Sequence, residues 1–350
     1  MQTTKGKIVG VGLVFLIGAC LLLQGTCVFA QSSENDKAKE YFKGKTIRFM
    51  VPYKPGGGYD TYARMIAPFL EKELNATVVV QNVPGGGGLL GVNKLFSARP
   101  NGRTIGMVNL IGAIMSQLGQ MRGVNFKLEE FGWIGRVVAE PQLMLTRANS
   151  PINSIEDIKK MGEPLKYGTT GPGAVDYLNG LLLSRVFDFP IKMVSGYASS
   201  GEYDLAMLKG EVDCVMGSFS SKISYLKTGD AKPIVLLSKT RSKELPDLPI
   251  VSEIKGLNEE DRKLVVAAIN LLEGGRAVAA PPNLPKDRLQ SLRNAWSKAT
   301  SDPGLLKSAE KAARPISNLP GPQMQELVSE LINNIPKPMM ELIKESYYKM

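Results

Sequence analysis

The sequence predicts an α/β protein of two lobes that meet at a ligand cleft. Three features lead there. Strand-like apolar runs alternate with amphipathic stretches across residues 46–108 and again across 143–238, a pattern that lays helices onto parallel strands. Glycine-rich turns stand between strand and helix in the first block, at the end of the strands where open α/β sheets bind ligands. No sharp linker divides the 350 residues, so the chain is expected to cross into a second lobe and return, with length enough for both cores.

The chain opens with Lys5 and Lys7 ahead of a nearly uncharged stretch from Ile8 to Ala30, and polar Gln31-Ser32-Ser33-Glu34 follows at once. A basic start, an apolar centre and a small final residue make residues 1–30 a cleavable secretory signal, cut after Ala30, which puts the mature chain in the periplasm. The stretch is also long enough to span a bilayer. Ile17-Gly18-Ala19 before Cys20 loosely fits a lipoprotein cut. A retained anchor and lipid attachment at Cys20 are therefore the lesser alternatives.

Beyond the leader, Thr46–Tyr53 reads as a buried strand, and a helix from about Asp60 to Leu74 carries Ala63, Ile66, Ala67, Leu70 and Leu74 on one face. Thr77–Val83 is rich in β-branched residues and reads as a strand. A helix near Leu89–Ser97 and a strand at Thr104–Val108 complete the block. In the second block Leu143–Thr146, Lys166–Thr170, Ile191–Val194, Val212–Gly217 and Pro233–Ser238 are extended, while Val175–Phe187 and Glu202–Lys209 are helical. The remainder is helical over 258–272, 286–300, 303–312 and 321–347, with a short strand at Arg276–Ala280. The expected division is 31–141 plus 237–350 for the first lobe and 142–236 for the second.

Composition narrows the chemistry. An apolar fraction of 43% with 22% charged residues is that of a folded globular chain. The absence of histidine removes Ser-His-Asp and Cys-His mechanisms and imidazole-bound zinc. Of three cysteines, Cys20 and Cys27 leave with the signal and Cys214 stands alone, which excludes an internal disulfide and a thiolate zinc site. The net charge of +10 favours anionic ligands. With no dense basic stripe interleaved with aromatics, no nucleic-acid partner is expected. Acidic pairs such as Glu129-Glu130 and Glu156-Asp157 sit at helix starts and complement helix dipoles. Trp133 and Trp296 occupy core-like positions. No enzymatic activity, cofactor or metal is expected.

The strongest local feature is Pro55-Gly56-Gly57-Gly58-Tyr59-Asp60 between a strand and a helix. Glycines let the backbone approach a ligand, Asp60 is placed to cap the helix, and the helix N-terminus favours an anion. Pro84-Gly85-Gly86-Gly87-Gly88 repeats the arrangement after the next strand. Neither loop ends in the Gly-Lys-Ser/Thr of a P-loop, and neither fits the dinucleotide spacing. In the second block, Gly168-Thr169-Thr170-Gly171-Pro172-Gly173 offers hydroxyls beside amides, and Gly196-Tyr197-Ala198-Ser199-Ser200-Gly201 again precedes a helix.

These residues resemble the substrate-binding proteins of tripartite tricarboxylate transporters, the Bug receptors. The likeness rests on Val51-Pro52-Tyr53 with Pro55-Gly56-Gly57 and Asp60, on Ala63-Arg64, on Asn82 with Pro84 to Gly88, and on Pro100-Asn101-Gly102-Arg103-Thr104. Tyr167 to Gly173, Gly196-Tyr197 and Ala280 to Pro285 extend it over nearly all of the mature chain. The resemblance implies a type II periplasmic-binding-protein fold, two α/β lobes closing on a ligand. It implies a monomeric receptor that captures a small organic anion, a di- or tricarboxylate or related organic acid, and delivers it to the membrane subunits of a secondary transporter. Capture in that family uses glycine-loop amides and second-lobe hydroxyls. The candidate ligand-binding residues are thus Tyr53, Gly56, Gly57, Gly58, Asp60, Gly86, Gly87, Gly88, Thr169, Thr170, Gly171, Tyr197 and Ser199. Asp176 departs from the histidine common in the family. An acid there disfavours a highly charged ligand or selects a cationic group, and Lys54 is placed to offset it. The competing readings are an exported enzyme working in the same cleft, with Asp, Glu, Lys or Tyr as its base, and an envelope interaction protein without a ligand.

Overall fold

The structure is a computed structural model that describes residues 40–348; the expected signal peptide, its cut after Ala30 and Cys20 lie outside the described residues. Among the described residues, eleven strands form two sheets. The first holds β1 (Thr46–Val51), β2 (Thr77–Asn82), β3 (Thr104–Asn109), β4 (Gly132–Val138), β10 (Arg276–Ala280) and β11 (Leu319–Pro320), in the order β11-β4-β10-β3-β1-β2. The second holds β5 (Gln142–Arg147), β6 (Leu165–Gly168), β7 (Ile191–Val194), β8 (Cys214–Ser218) and β9 (Ala231–Leu237), in the order β7-β6-β8-β5-β9. Each sheet with its helices is a lobe, and the type II binding-protein architecture expected from the sequence is present.

Both sheets are mixed rather than parallel throughout. Helix α1 (Gly58–Leu74) carries β1 to β2, and α2 (Leu89–Phe96) carries β2 to β3. These crossovers set the three strands parallel, with Phe49 opposite Val80 and Ile105. Strand β10 enters the same sheet on the chain's return from the second lobe and runs antiparallel, Val278 facing Met107 and Gly135. In the second sheet β6, β7 and β8 are parallel, whereas β5, which enters from the first lobe, is antiparallel to β8 and β9.

The expected face of α1 is buried: Ala63, Ile66, Ala67, Leu70 and Leu74 pack with Phe49, Val278 and Trp296. Full burial of Ile66, Leu70 or Leu74 contributes about 1.5–3 kcal/mol each. Trp133 and Trp296 are core residues with satisfied indoles, Trp133 donating to the Leu128 carbonyl and Trp296 to Asn318. The helix expected over 321–347 is broken into α11 (Gly321–Asn333) and α12 (Lys337–Tyr348). Pro336 lacks an amide and disfavours helical backbone at Ile335, which ends the first of them.

The remaining helices are α3 (Leu110–Leu118), α4 (Ile155–Lys159), α5 (Val175–Phe187), α6 (Ser200–Lys209), α7 (Phe219–Lys227), α8 (Glu259–Leu272), α9 (Lys286–Thr300) and α10 (Pro303–Lys311). A second apolar cluster is continuous between the lobes: Val108, Leu110 and Ile114 join Tyr167, Leu178 and Leu182, with Leu342 and Ile343 of α12. Helix α12 lies against α3, α5 and α8. Tyr347 there is 3.2 Å from the Ser116 hydroxyl of α3, and its ring fills the space a side chain at Gly173 would need.

The chain changes sheets twice, between Val138 and Gln142 and between Leu237 and Arg276. The two passages run side by side. Gly275, at φ +52°, lies directly on the Val138 carbonyl, an approach that leaves no room for a Cβ. Glu140 on the first passage ion-pairs with Arg276 at the end of the second.

Candidate functional site

A cavity of about 110 Å³ lies between the two sheets. Among the described residues, five helices begin on its wall, and four of them lack a side-chain cap: α1 from the first lobe and α5, α6 and α7 from the second. Their N-cap residues, Gly57, Ala174, Ser199 and Ser218, make no side-chain capping bond. Each N-terminus carries about half a positive charge on amides that a helix cannot satisfy internally. Helix α3 also starts here but is capped, its Asn109 carboxamide oxygen accepting from the Gly112 amide.

Two cations reach the cavity. Arg276 is 6% exposed and lies between the Tyr59 and Tyr62 rings, 5.1 Å from each centroid. It donates to Glu140, and its Nε has no partner. Burial is the largest single effect and works against its charge, but the Glu140 carboxylate and the Tyr59 and Tyr62 oxygens together hold the guanidinium above its ordinary value. Lys222 is fully buried, donates to Asp204 and lies 4.5 Å from the centre of the Tyr203 ring. Burial raises the Asp204 carboxyl in spite of that ammonium.

Two carboxylates of the chain sit on helix starts at the cavity. Glu140 accepts the Ser220 amide of α7, 2.9 Å away. Asp176, in the first turn of α5, accepts the Tyr177 amide at 2.8 Å, the Thr170 amide at 3.3 Å and the hydroxyls of Thr169 and Thr170. Burial pushes the Asp176 carboxyl up, against the pull of those donors. No acid covers α1 in this way, since Asp60 turns its carboxylate away from the cavity. It accepts from the Gly56 amide, from Asn82 and from Arg64, and so braces the loop against β2 instead of capping the helix. Burial raises the Asp60 carboxyl, but these donors together hold it below the usual range.

Of the residues singled out in the sequence, Tyr53, Gly57, Gly58, Thr170 and Ser199 line the cavity. Tyr53 accepts from Asn109 and donates to the Gly87 carbonyl, so it ties the two glycine loops together; burial raises its phenol. Gly56 and Asp60 do not line the cavity. Gly86, Gly87 and Gly88 form a tight turn with φ of +55°, +64° and +103°. Gly87 and Gly88 border a smaller neighbouring cavity with Pro52 and Phe126. Thr169 is buried and turned onto Asp176, and Gly171 stands in the loop beyond it at φ +133°. Tyr197 packs edge-on against Tyr203. Lys54 lies outside the cavity, bonded to Glu202 of α6 at 3.2 Å.

Sequence reasoning missed Arg276, Glu140, Ser221 and Lys222, all of which line the cavity. The signals were present. Gly274-Gly275 precedes Arg276 at the start of a strand, and Ser218 to Lys222 is a hydroxyl-rich run that opens α7 directly after β8.

The comparisons with known proteins agree with this architecture. The family model described as "Tripartite tricarboxylate transporter family receptor" matches residues 62–344. A UPF0065 protein from the TAR-I ttuE-ttuC' intergenic region of Agrobacterium vitis is 26% identical over 77% of this chain and 76% of its own length. BugT of Bordetella pertussis is 25% identical over 61% of this chain and 67% of its own. Among solved structures, the periplasmic binding protein BugD superposes with a TM-score of 0.72 at 22% identity, over 86% of this chain and 97% of BugD. MatC from Rhodopseudomonas palustris, solved with bound malate, gives 0.71 at 21% identity over 85% and 99%. The structural likenesses, at these identities, carry the fold.

Proposed function

The chain belongs to the tripartite tricarboxylate transporter receptor family, and from that premise we propose that it is a periplasmic solute receptor that captures a small carboxylate-bearing acid between its lobes. The observation that carries this reading is the start of α1: it has no side-chain cap and faces the cavity together with buried Arg276, whose Nε is unpartnered. Backbone amides at Gly57 to Tyr59 and a guanidinium form a donor set suited to a carboxylate. The second lobe adds the hydroxyls of Ser199, Ser200 and Ser221 from the opposite wall. MatC with malate and an R. palustris protein with adipate are relatives in fold that hold dicarboxylates, which supports the ligand class.

Capture proceeds by closure of the lobes about the two chain passages, so that water leaves and the charge-assisted bonds strengthen. Lys54 on the first lobe and Glu202 on the second pair across the lobes, a contact that opening would break. The loaded receptor then delivers its ligand to the membrane subunits of a tripartite tricarboxylate-type transporter. Export by a signal cleaved after Ala30 is part of the same reading, as is action as a monomer. The family and fold relatives are binding proteins, and with no histidine in the chain capture without turnover is the proposed role.

Mass spectrometry of small molecules released by denaturing freshly purified protein tests this. A stoichiometric acid with at least one carboxylate is expected. A neutral ligand such as a sugar, or conversion of the captured compound on incubation, would contradict it.

A further inference from the structure

The second lobe contains an anion site that the chain fills itself. Thr169 and Thr170 hydroxyls, the Thr170 amide and the Tyr177 amide at the start of α5 converge on one point, and the Asp176 carboxylate occupies it, with contacts of 2.8 to 3.3 Å. Two hydroxyls and two amides at a helix start are the donors a ligand carboxylate would use. With Asp176 in place, both of its oxygens already accept, and a second carboxylate has no donor left there.

Charge around the cavity points the same way. Arg276 is matched by Glu140 and Lys222 by Asp204. All the hydrogen-bond partners of Asp176 are neutral hydroxyls and amides. The acid is 8% exposed and lines the cavity. A ligand group next to it enters a water-poor space in which like charges repel strongly and opposite charges attract.

We propose that Asp176 sets the specificity of the cleft: the ligand places one carboxylate at the start of α1 and Arg276, and presents a cationic group, such as an ammonium, toward Asp176. This rests on the carboxylate reading above and narrows it from di- or tricarboxylates to zwitterionic acids. Asp176 thereby has two tasks, bracing the loop through Thr169 and Thr170 and rejecting a second anion.

Titration calorimetry of the purified protein against succinate, butyrate and 4-aminobutyrate, with malate and a set of α-amino acids alongside, tests it directly. The best zwitterion is expected to bind at least about tenfold tighter than any dicarboxylate, corresponding to about 1.4 kcal/mol. Asp176→Asn, shown folded by circular dichroism, is expected to narrow that ratio at least tenfold by weakening the zwitterion, strengthening the dicarboxylate, or both. Dicarboxylates binding the unmodified protein as tightly as zwitterions would overturn the proposal while leaving the carboxylate reading intact. So would an unchanged ratio in the variant. Binding of no compound that carries a carboxylate would overturn the carboxylate reading and this inference with it.

Discussion

Glu140 and Arg276 pair across the two passages where the chain moves between lobes, and both line the ligand cavity. The first residue lies between β4 and β5; the second opens β10. One buried ion pair therefore joins the hinge region to the site. A second carboxylate oxygen of Glu140 holds the start of α7 through the Ser220 amide.

Arg276→Met leaves Glu140 buried without its cation, which typically costs about 3–5 kcal/mol. Chemical denaturation is expected to show a loss of that size. The double variant Arg276→Met with Glu140→Gln should recover a large part of it, because no uncompensated charge then remains. Ligand affinity is expected to stay low in both. Recovery of affinity along with stability would mean that Arg276 serves only the fold.

Gly58→Ala separates binding from folding. Gly58 has ordinary helical backbone, so alanine fits the local conformation. Its Cβ would stand 2.8 Å from the Arg276 guanidinium and 3.1 Å from the Ser221 hydroxyl on the other lobe. The methyl group crowds the Nη2 edge of the guanidinium and wedges the lobes apart, while the Nη1 bond to Glu140 stays in place. Stability within about 1 kcal/mol of the unmodified protein and affinity lowered at least about tenfold are expected from thermal melts and calorimetry.

Lys54 and Glu202 are both half-exposed, and their 3.2 Å contact closes the rim. Exposed pairs contribute about 0.2–1 kcal/mol, which as differential stability of the closed form is a few-fold in affinity. Glu202→Gln is expected to speed ligand release by that factor in stopped-flow measurements. The difference should fade at high salt, where such pairs are screened. Unfolding stability should hardly change.

Asp60 makes the fold depend on pH. Despite burial, its bonds to Arg64, Gly56 and Asn82 hold its carboxyl below the ordinary value in the folded chain. A depressed pKa means that its contribution is fully present above the unfolded value and is lost as pH falls through the folded one. Asp60→Ala is expected to cost about 1–3 kcal/mol at pH 7 by leaving buried donors unpaired. In denaturant melts the gap to the unmodified protein should shrink below the usual carboxylate range. A gap that does not change with pH would place the role of Asp60 in packing alone.

These residues also mark how far the sequence could be read. The crossover unit from Thr46 to Val108 was legible because each element has a period or a punctuating glycine, and the loop from Gly56 to Gly58 lies where the pattern put it. Arg276 could be flagged by the Gly274-Gly275 before it but not assigned to the site. It is far from the glycine loops in the chain, and only the antiparallel entry of β10 beside β3 brings it to them. Helix α3 escaped because Leu110 to Ser116 is buried on all sides, so the short run reads as an apolar stretch with no solvent face to mark it as a helix. Asp176 was noticed as a departure and Lys54 as its offset, but their partners, the two threonines and Glu202, are matters of tertiary placement. Spacing could not tell whether Thr169 and Thr170 face a ligand or an acid of their own chain.

A crystal structure of the protein loaded with its released ligand tests the central claim most directly. The account predicts a ligand carboxylate within about 3 Å of the amides at Gly57 to Tyr59 and of the Arg276 guanidinium, enclosed between the lobes. A ligand held elsewhere, or one whose carboxylate points away from the start of α1 and from Arg276, would contradict it.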